Sequence, residues 1–574
     1  MLLKLFPGLI WLQNYHRGTF KSDLFSGITI AAMLIPQSMG YAVVAGLPAE
    51  YGLYACIFPP ILYALMGTSN KISIGPVALD SILILSGLSA LAEPGSDDYL
   101  HLAITLTLMV GVIQLFFGML KFGFIANFLS NPVILGYTSA AAIIIIGSQL
   151  GNILGVDSDG GNIFQQVFGF LQNLANWHWI TVSIGIAGLV FMIIPKRFFP
   201  NLPLGLILLV AAMLFSGFWN AAGHGVQVIA SIPQGLPSPH FPGISLEQIL
   251  SLTPTALTVA LMGYVGSMSI CKAQEKPTDT INAKPNQELV AMGVANFAGA
   301  FFKAFPVSAS FSRSAAFVES GALTQVSAVV SSIVIVIIIL FLTPVFTSYP
   351  LPKAILAAII IVSVMGLFKY SQMKALYKQS KLEFLLMLLT FLLTLTMGVQ
   401  EGLIAGVALS IANVIYNSAT PHMTELGAIA EGRLFRNVNR FEQVIVREDL
   451  LIFRFDAPLY FANKDYFVEN LYRWMKKREA GKLNAIIFDA EAVNSIDSSA
   501  IQMLEKLIAN LQQQGIRLYI SNAIGPVRDA LSNSCLCDYI SDNAMFPTIH
   551  DAIEHIDHGI CADAGIALQT NYLR

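Results

Sequence analysis

The segment Phe305–Ser314 places one arginine, a proline and four serines between two long apolar runs. An arginine at the centre of a bilayer costs about 2.5–3.5 kcal/mol on insertion scales, so Arg313 needs an internal partner, a water-filled cavity or an anion. Proline and serine at this density are typical of an extended segment followed by a helix that begins inside the membrane. The free N–H groups and the positive dipole end of such a helix point at the bilayer centre. The segment therefore predicts an anion site, in which serine hydroxyls donate hydrogen bonds and Arg313 supplies positive charge.

Two further stretches could complete this site. Gln37 follows Pro36 inside the first apolar run, where a proline kinks a helix, and its amide could donate to an anion directly or through water. Tyr41 is one helical turn further on and shares the same face. Val77 and Ala78 follow a polar stretch that ends in a proline, and we expect them to open a second broken helix with free backbone N–H groups.

The composition is that of a membrane protein with a soluble part. Only 12% of the 574 residues are charged and 55% are hydrophobic, whereas a soluble protein carries about 25% charged residues. The formal net charge of -3 indicates nothing about partners, and we expect no nucleic-acid partner. The sequence shows no nucleophile–base pair, no metal-ligand spacing and no phosphate loop, so we expect no enzyme, no metal site and no cofactor.

Apolar stretches close to the length that a bilayer requires predict fourteen membrane spans. The third and tenth spans are the broken type. The predicted spans are 24–45, 51–67, 75–91, 100–120, 132–150, 178–195, 202–219, 252–270, 287–303, 309–320, 322–342, 351–368, 382–397 and 402–418.

These spans divide into two sets of seven, and the third span of each set follows a polar, proline-bearing segment. This correspondence indicates an inverted repeat whose two half-helices meet at the midplane. The segments 92–99, 151–177 and 221–251 hold no lysine or arginine, so the opposite, basic side is predicted to be cytoplasmic. An even number of spans then places both termini in the cytoplasm.

The composition changes after the last predicted span, where strand-like and helix-like segments alternate and predict a small cytoplasmic α/β domain. The predicted organisation is an N-terminal cytoplasmic lead-in at 1–22, a transport domain at 23–420, a linker at 421–440, the α/β domain at 441–560 and a tail at 561–574.

The order and spacing of several short motifs resemble the SulP family (sulfate permease, solute carrier family 26), with a C-terminal STAS domain. The resemblance covers about residues 20–555. It is carried by Pro36–Ala42, Ala45–Tyr54, Gly67–Asn70, Ile74–Ala78, Asn286–Leu289, Ser310–Ser314 and, in the α/β domain, Asp497–Ser499.

The resemblance implies a core domain of spans 1–4 and 8–11 and a gate domain of spans 5–7 and 12–14. It places the substrate anion between the two half-helix N-termini, with Ser312 and Arg313 at the anion-site positions. It also implies that the core moves as an elevator against the gate, and that the protein is a homodimer. Sulfate is the default substrate of the family, and bicarbonate, chloride, nitrate and dicarboxylates also occur in it.

One departure from the family pattern concerns a carboxylate. Many bacterial members carry a glutamate in the eighth span, at the position of Gly266 in Gly263–Ser267. Asp80 stands instead in the first half-helix, where the family usually has an apolar residue. Asp80 is three residues after Val77, which suggests that it faces the cavity near Arg313. Our hypothesis is that the carboxylate has moved to the third span, where it could bind a proton, bind sodium or neutralise Arg313.

These observations predict a secondary active transporter in the cytoplasmic (inner) membrane, which moves a small inorganic anion with a proton or sodium ion through Asp80. Sulfate is favoured. The alternatives are a bicarbonate, chloride or dicarboxylate transporter or exchanger and an anion channel. A different class is a membrane anion sensor that signals through the STAS domain.

Overall fold

The computed structural model divides the chain into two compact units, Met1–Ser410 and Ile411–Arg574. The description covers residues 6–12, 15–127, 130–156, 163–172, 174–198, 203–229, 233–241, 243, 245–275, 282–429, 434–441, 444–479, 481–534 and 544–558. The predicted tail at 561–574 lies outside this range.

The first unit is helical. Its helices, with the last one running past the boundary between the units, are α1 Arg17–Val44, α2 Ala49–Tyr54, α3 Phe58–Met66, α4 Ala78–Leu88, α5 Asp97–Met119, α6 Asn131–Leu154, α7 Ile163–Gln172, α8 Trp179–Phe198, α9 Leu204–Trp219, α10 Leu246–Gln274, α11 Pro285–Ala300, α12 Phe311–Glu319, α13 Val326–Phe341, α14 Thr343–Ser348, α15 Lys353–Met365, α16 Tyr370–Gln379, α17 Lys381–Met397 and α18 Val399–Ala419. Four two-residue strands accompany them, β1 Ile74–Gly75, β2 Val228–Ile229, β3 Ser308–Ala309 and β4 Leu351–Pro352.

Each predicted span coincides with a helix or, for the second span, with the pair α2 and α3, which confirms the helical membrane fold. Within the described residues, seven helical segments are long and apolar enough to cross a bilayer by themselves. The other spans are shorter, and the half-helices α4 and α12 have only 11 and 9 residues. The short helices α7, α14 and α16 were not predicted, because none of them is long enough to give a span-length apolar signal.

The first helix begins earlier than the sequence predicts. Helix α1 starts at Arg17, inside the predicted lead-in at 1–22, because the His16 side chain caps it by accepting a hydrogen bond of 3.0 Å from the Thr19 N–H. Histidine is not among the usual N-cap residues, so no recognised start signal precedes Arg17 in the sequence.

The helices of the first unit pack in two groups. Helix α5 lies against α10 and α11, α3 against α11, and α1 against α13. In the second group, α6 lies against α15 and α17, and α8 lies against α9 and α15. The groups touch where α1 meets α9 and α15, and where the half-helix α4 meets α6.

The second unit contains a six-stranded sheet. Its elements are β5 Met423–Ile429, β6 Leu434–Asn437, β7 Leu450–Phe455, α19 Lys464–Met475, β8 Ala485–Asp489, α20 Ser498–Gln513, β9 Arg517–Ser521, α21 Gly525–Ser532, β10 Met545–Phe546 and α22 Ile549–His558. The strand order is β10-β9-β8-β7-β5-β6, with β7, β8, β9 and β10 parallel and β5 antiparallel to both of its neighbours.

The segment predicted to be a linker, 421–440, contains two of these strands. Strand β5 pairs with β7 from Met423↔Phe455 to Leu426↔Ile452, and Leu426 is buried in the core of the unit. The prediction of a linker was wrong because an edge hairpin of short strands carries mixed polar and apolar residues, a pattern that also suits a connecting segment.

Acid should weaken the second unit through one ion-pair cluster. Arg447 donates to both Asp449 and Asp557, with N–O distances of 2.7–3.0 Å. Hydrogen bonds from Arg447 hold the pKa of both carboxyl groups below the usual value. Groups with a lowered pKa stabilise the fold above the pKa of the unfolded chain, near pH 4, and lose that contribution as the pH falls further.

We therefore expect Arg447→Gln to reduce the stability of this unit at pH 7 and to make it less sensitive to acid between about pH 5 and pH 2. The measurement is pulse proteolysis of the full chain across this pH range, followed by detection of C-terminal fragments. The control Arg436→Gln removes an arginine from the same unit that donates to the adjacent Phe435 carbonyl and forms no ion pair among the described residues. Equal acid profiles for the wild type and Arg447→Gln would contradict this assignment.

Candidate functional site

Two half-helices begin side by side because the strands that precede them pair. Strand β1 pairs antiparallel with β3, with Ile74 opposite Ala309 and Gly75 opposite Ser308. Pro76 favours the extended conformation of Gly75, the residue before it. The pairing satisfies backbone groups that would be costly to leave free inside a membrane. As a result, the N-termini of α4 and α12 lie close together and the helices leave in opposing directions.

The first N–H groups of both half-helices have no side-chain cap among the described residues. The N-cap residues, Val77 of α4 and Ser310 of α12, have extended backbones and no side-chain capping bond in the described structure. Val77 and Ala78 are buried, whereas Ser312 in the first turn of α12 is exposed. Two uncapped helix N-termini at one place form a site with positive partial charge that favours an anion.

Arg313 lies behind these N-termini and is fully buried. Its Nη1 donates a 2.8 Å hydrogen bond to the Pro76 carbonyl, which ties α12 to the segment before α4. Its Nε and Nη2 have no hydrogen-bond partner among the described residues, and no described carboxylate lies within 4.0 Å of the guanidinium. A Cβ on Gly75 would come within 3.3 Å of Nη2, so glycine leaves the space that the guanidinium needs. The geometry therefore places a positive charge with no ion-pair partner among the described residues beside the two helix N-termini.

A cavity of about 520 Å³ adjoins α12 between the two helix groups. Its polar lining includes Gln37 and Thr29 of α1, Ser312 and Ser320 near α12, and Ser363 of α15. The apolar walls come from α1, α8, α9 and α15. Of the residues that the sequence predicts for the site, Gln37 and Ser312 line this cavity. Val77, Ala78, Arg313, Tyr41 and Asp80 do not.

Gln37 and Tyr41 share one helix but differ in surroundings. The Oε1 atom of Gln37 is buried and has no partner among the described residues. Because the oxygen and nitrogen of an amide are assigned from their neighbours, the group can turn to donate into the cavity. Tyr41 is packed in the hydrophobic core of the unit. The structure thus brings Gln37 to the cavity and leaves Tyr41 in the packing beside it.

Asp80 occupies a different position from the one that the sequence suggested. It is only 3% exposed, its Oδ2 accepts a 2.5 Å hydrogen bond from Ser308, and it lies beside α10, where a Cβ on Gly263 would be 3.6 Å from the carboxylate. The expectation that it faces the cavity was wrong, because position 80 on α4 points toward β3 and α10. Asp80 still lies near enough to Arg313 for a coulombic interaction.

Gly266, the position at which many bacterial family members carry a glutamate, has free space around it. A Cβ on Gly266 would meet no heavy atom within 4 Å, unlike Gly263 one turn earlier. The next residue, Ser267, accepts a 2.9 Å hydrogen bond from the Ala309 N–H and so holds α10 against β3. The Asp80 carboxylate extends from α4 and lies against the face of α10 that carries Gly263.

The sequence reasoning missed the amides that hold the second half-helix in place. Asn296 of α11 accepts a 2.8 Å hydrogen bond from the Val307 N–H and donates to the Val307 carbonyl and to Gln114. Gln114 of α5 donates in turn to the Ala260 carbonyl. These residues fix the extended segment before α12. Both amides lie in apolar helices. An amide side chain within an apolar stretch was therefore the sequence feature that could have identified them.

Two buried carboxylates, to which the sequence analysis assigned no role, connect the first set of seven spans to the second. Glu288 of α11 accepts hydrogen bonds of 2.5–3.0 Å from the Thr68 hydroxyl and the Thr68 and Ser69 N–H groups, and one of 2.7 Å from Tyr63. These donors precede β1. Asp23 of α1 accepts from the N–H groups of Leu323 and Thr324 in the same way, just before α13. Each carboxylate is satisfied by neutral donors.

We expect Glu288→Gln to destabilise the protein by about 3 kcal/mol, because one acceptor becomes a donor that faces other donors in a buried cage. Thermal unfolding of the purified full chain should show a midpoint several degrees lower. Glu247→Gln is the matched control, since Glu247 is exposed in the first turn of α10. Equal midpoints for both variants and the wild type would show that the cage does not hold this segment.

Comparison with known proteins decides the family. The model of the sulfate permease family matches residues 20–390, and that of the STAS domain matches residues 443–552. This chain belongs to the sulfate permease family. It is a multi-pass membrane transporter of that family and not an enzyme.

Relatives of this permease come from plants and bacteria. It is 34% identical over 567 residues to sulfate transporter 4.1, chloroplastic, of Arabidopsis thaliana, with 96% of this chain and 82% of the relative covered. It is 31% identical over 549 residues to a probable sulfate transporter of Mycobacterium tuberculosis strain CDC 1551, with 96% and 97% covered.

The fold is also found in solved structures. The murine solute carrier 26 family member A9 anion transporter in the inward-facing state superposes with a TM-score of 0.86 at 27% identity, with 96% of this permease and 93% of that chain covered. The transmembrane domain of a cyanobacterial bicarbonate transporter superposes with a TM-score of 0.59 at 23% identity and covers 68% of this permease, which shows the shared fold alone.

Proposed function

We propose that this permease is a secondary active transporter of a small inorganic anion, with sulfate favoured, and that it works by an elevator movement coupled to a proton or sodium ion. The observation that carries the proposal is the β1–β3 pairing, which sets two uncapped helix N-termini and an unpaired arginine beside a cavity. The two relatives described above are named as sulfate transporters, which favours sulfate over the other small anions.

The anion would be bound mainly by neutral donors. Backbone N–H groups of α4 and α12 and the hydroxyl of Ser312 point hydrogen bonds at it, and the Gln37 amide donates from across the cavity. Arg313 acts through its field and by fixing the distance between the two half-helices. Tyr41 supports α1 beside the site. Neutral donors suit a substrate that must later leave, since they bind an anion without forming an ion pair.

The cavity lies between the two helix groups, where an elevator movement would slide one against the other. We assign the core domain to α1–α5 and α10–α13, and the gate domain to α6, α8, α9, α15, α17 and α18. The half-helices and their carboxylate ties all belong to the core, which would therefore move as one body with the anion. The gate contributes the apolar walls and Ser363.

Coupling is assigned to Asp80. Asp80 is buried with one hydroxyl donor and no ion pair among the described residues, and such a carboxylate carries a charge that is costly to leave uncompensated. A proton or sodium ion at Asp80 would compensate this charge and leave the positive charge of Arg313 free for the anion. The position of Asp80 beside Gly263, on the face of the span that bears a glutamate in many bacterial members, supports this role.

The distribution of basic residues favours a cytoplasmic location for both termini and for the STAS domain, in the cytoplasmic (inner) membrane. We also propose a homodimer, on the strength of the family resemblance. Crosslinking of the full chain in native membranes tests the dimer, and accessibility of cysteines introduced at exposed loop positions tests the orientation.

The direct test of function is uptake of labelled sulfate into proteoliposomes, with and without an inward proton gradient and then with an inward sodium gradient. Uphill uptake driven by one gradient would establish sulfate symport and identify the coupling ion. If sulfate is not taken up, then labelled bicarbonate, chloride and dicarboxylates are tested in the same vesicles. No flux of any of these anions would overturn the transporter proposal and favour an anion sensor that signals through the STAS domain.

A further inference from the structure

The cavity beside the anion site has one unexpected lining residue, Glu319. The cavity is otherwise lined by apolar side chains, hydroxyl groups and the Gln37 amide, and Glu319 is the one charged side chain among its described lining residues. A transporter of anions would be expected to avoid a carboxylate there, because it repels the substrate. The distance of Glu319 from the first turn of α12 suggests what this carboxylate does.

Glu319 is the last residue of α12, and the anion site is at the first turn of the same helix. Ser312, Ala316 and Glu319 all line the cavity, which fits their spacing of four and three residues along one helix face. Seven residues of α-helix separate Ser312 from Glu319 by about 10 Å. Glu319 is exposed, and so are Phe25 and Gly366, which line the cavity with it.

Two positive charges lie at the N-terminal end of α12. Arg313 is in its first turn, and the Lys369 amino group lies 5.1 Å from the centroid of the Phe311 ring, at the start of the helix. No lysine, arginine or histidine in the described part of the chain forms an ion pair with Glu319 within 4.0 Å. An anion that moves along α12 from Ser312 toward Glu319 therefore leaves these two positive charges and approaches a carboxylate that has no ion-pair partner within 4.0 Å among the described residues.

From this arrangement we infer that Glu319 makes the transporter discriminate between anions by their charge. We call Glu319 a charge filter, because its carboxylate lowers the affinity for a dianion more than the affinity for a monoanion. The inference rests on the proposed function. The repulsion energy between a fixed carboxylate and a dianion is twice that between the carboxylate and a monoanion at the same distance. For charges about 10 Å apart in water-like surroundings, Coulomb's law gives a penalty in affinity of about twofold for a monoanion and about fourfold for a dianion.

The test compares Glu319→Gln with the wild type in proteoliposomes. The labelled anion is sulfate or chloride, whichever the wild type takes up, and the other serves as competitor. We expect Glu319→Gln to lower the KM or Ki of sulfate about fourfold and that of chloride about twofold, so that the preference for sulfate rises about twofold. Glu319→Asp keeps the charge and should keep the wild-type ratio. The change should shrink at high ionic strength, because salt screens charges in water-filled space.

Glu383→Gln is the matched control, because it removes the same charge from an exposed position outside the cavity, in the first turn of α17. An unchanged sulfate-to-chloride ratio in Glu319→Gln, or an equal change in Glu383→Gln, would overturn the charge filter and leave the transporter assignment standing. If the wild type takes up neither anion nor any other that is offered, the proposed function fails and the filter fails with it.

Discussion

Replacing Arg313 with glutamine is expected to weaken anion binding and transport by about 10- to 100-fold, while the folded protein stays about as stable as the wild type. At an effective dielectric constant of about 20, a positive charge about 6–10 Å from the anion contributes about 1.7–2.8 kcal/mol through its field, which sets the size of the loss. The glutamine amide ends about two bonds short of the Nη1 position, so the hydrogen bond to the Pro76 carbonyl is lost, at a cost of about 1.5–3 kcal/mol. The buried charge, which has no ion-pair partner in the described structure, is removed, and its desolvation cost goes with it.

Two measurements separate these effects. Uptake of the labelled anion reports function, and the thermal midpoint with and without saturating anion reports stability and binding. A bound anion raises the midpoint of the wild type by mass action, and it should raise that of Arg313→Gln by less at the same concentration. Arg313→Lys keeps the charge and should retain part of the activity. A large fall in the midpoint of anion-free Arg313→Gln would instead assign Arg313 a structural role.

Replacing Asp80 with asparagine is expected to abolish gradient-driven accumulation of the anion and to leave exchange of anion across the membrane. Asparagine has nearly the same shape and can still accept the hydrogen bond from Ser308, so the half-helix keeps its position. It cannot bind a proton or provide a negative ligand for sodium. The measurement is uphill uptake under the coupling gradient, set against anion exchange in the same vesicles without a gradient.

A second substitution gives this prediction its control. Gly266→Glu restores a carboxylate at the usual place in the eighth span, where an added Cβ would meet no atom within 4 Å. We expect Gly266→Glu to restore gradient-driven uptake in the Asp80→Asn background. Ser308→Ala removes the hydrogen-bond donor and keeps the charge, so it should retain coupling. Unchanged coupling in Asp80→Asn would refute the role of Asp80, whatever the double variant does.

The sequence by itself determined the membrane class, the number of spans and the place of the two half-helices. These features follow from local chemistry. Apolar runs of span length define helices in a bilayer, and the two proline-bearing polar segments interrupt the runs at the third position of each set. The same local signals identified Gln37, and the family resemblance identified Ser312, both of which line the cavity.

Only the tertiary structure decided which way the side chains of the half-helices point. Asp80 turns to Ser308 and Gly263 instead of the cavity, and Arg313 lies behind the site and reaches the Pro76 carbonyl. Glu288 and Asp23 hold the segments before β1 and α13, and each tie joins residues more than 200 positions apart in the sequence. Helical spacing fixes neighbours within one helix, whereas these contacts depend on how α10, α11 and α1 pack against the paired strands, and that packing is set by the whole fold.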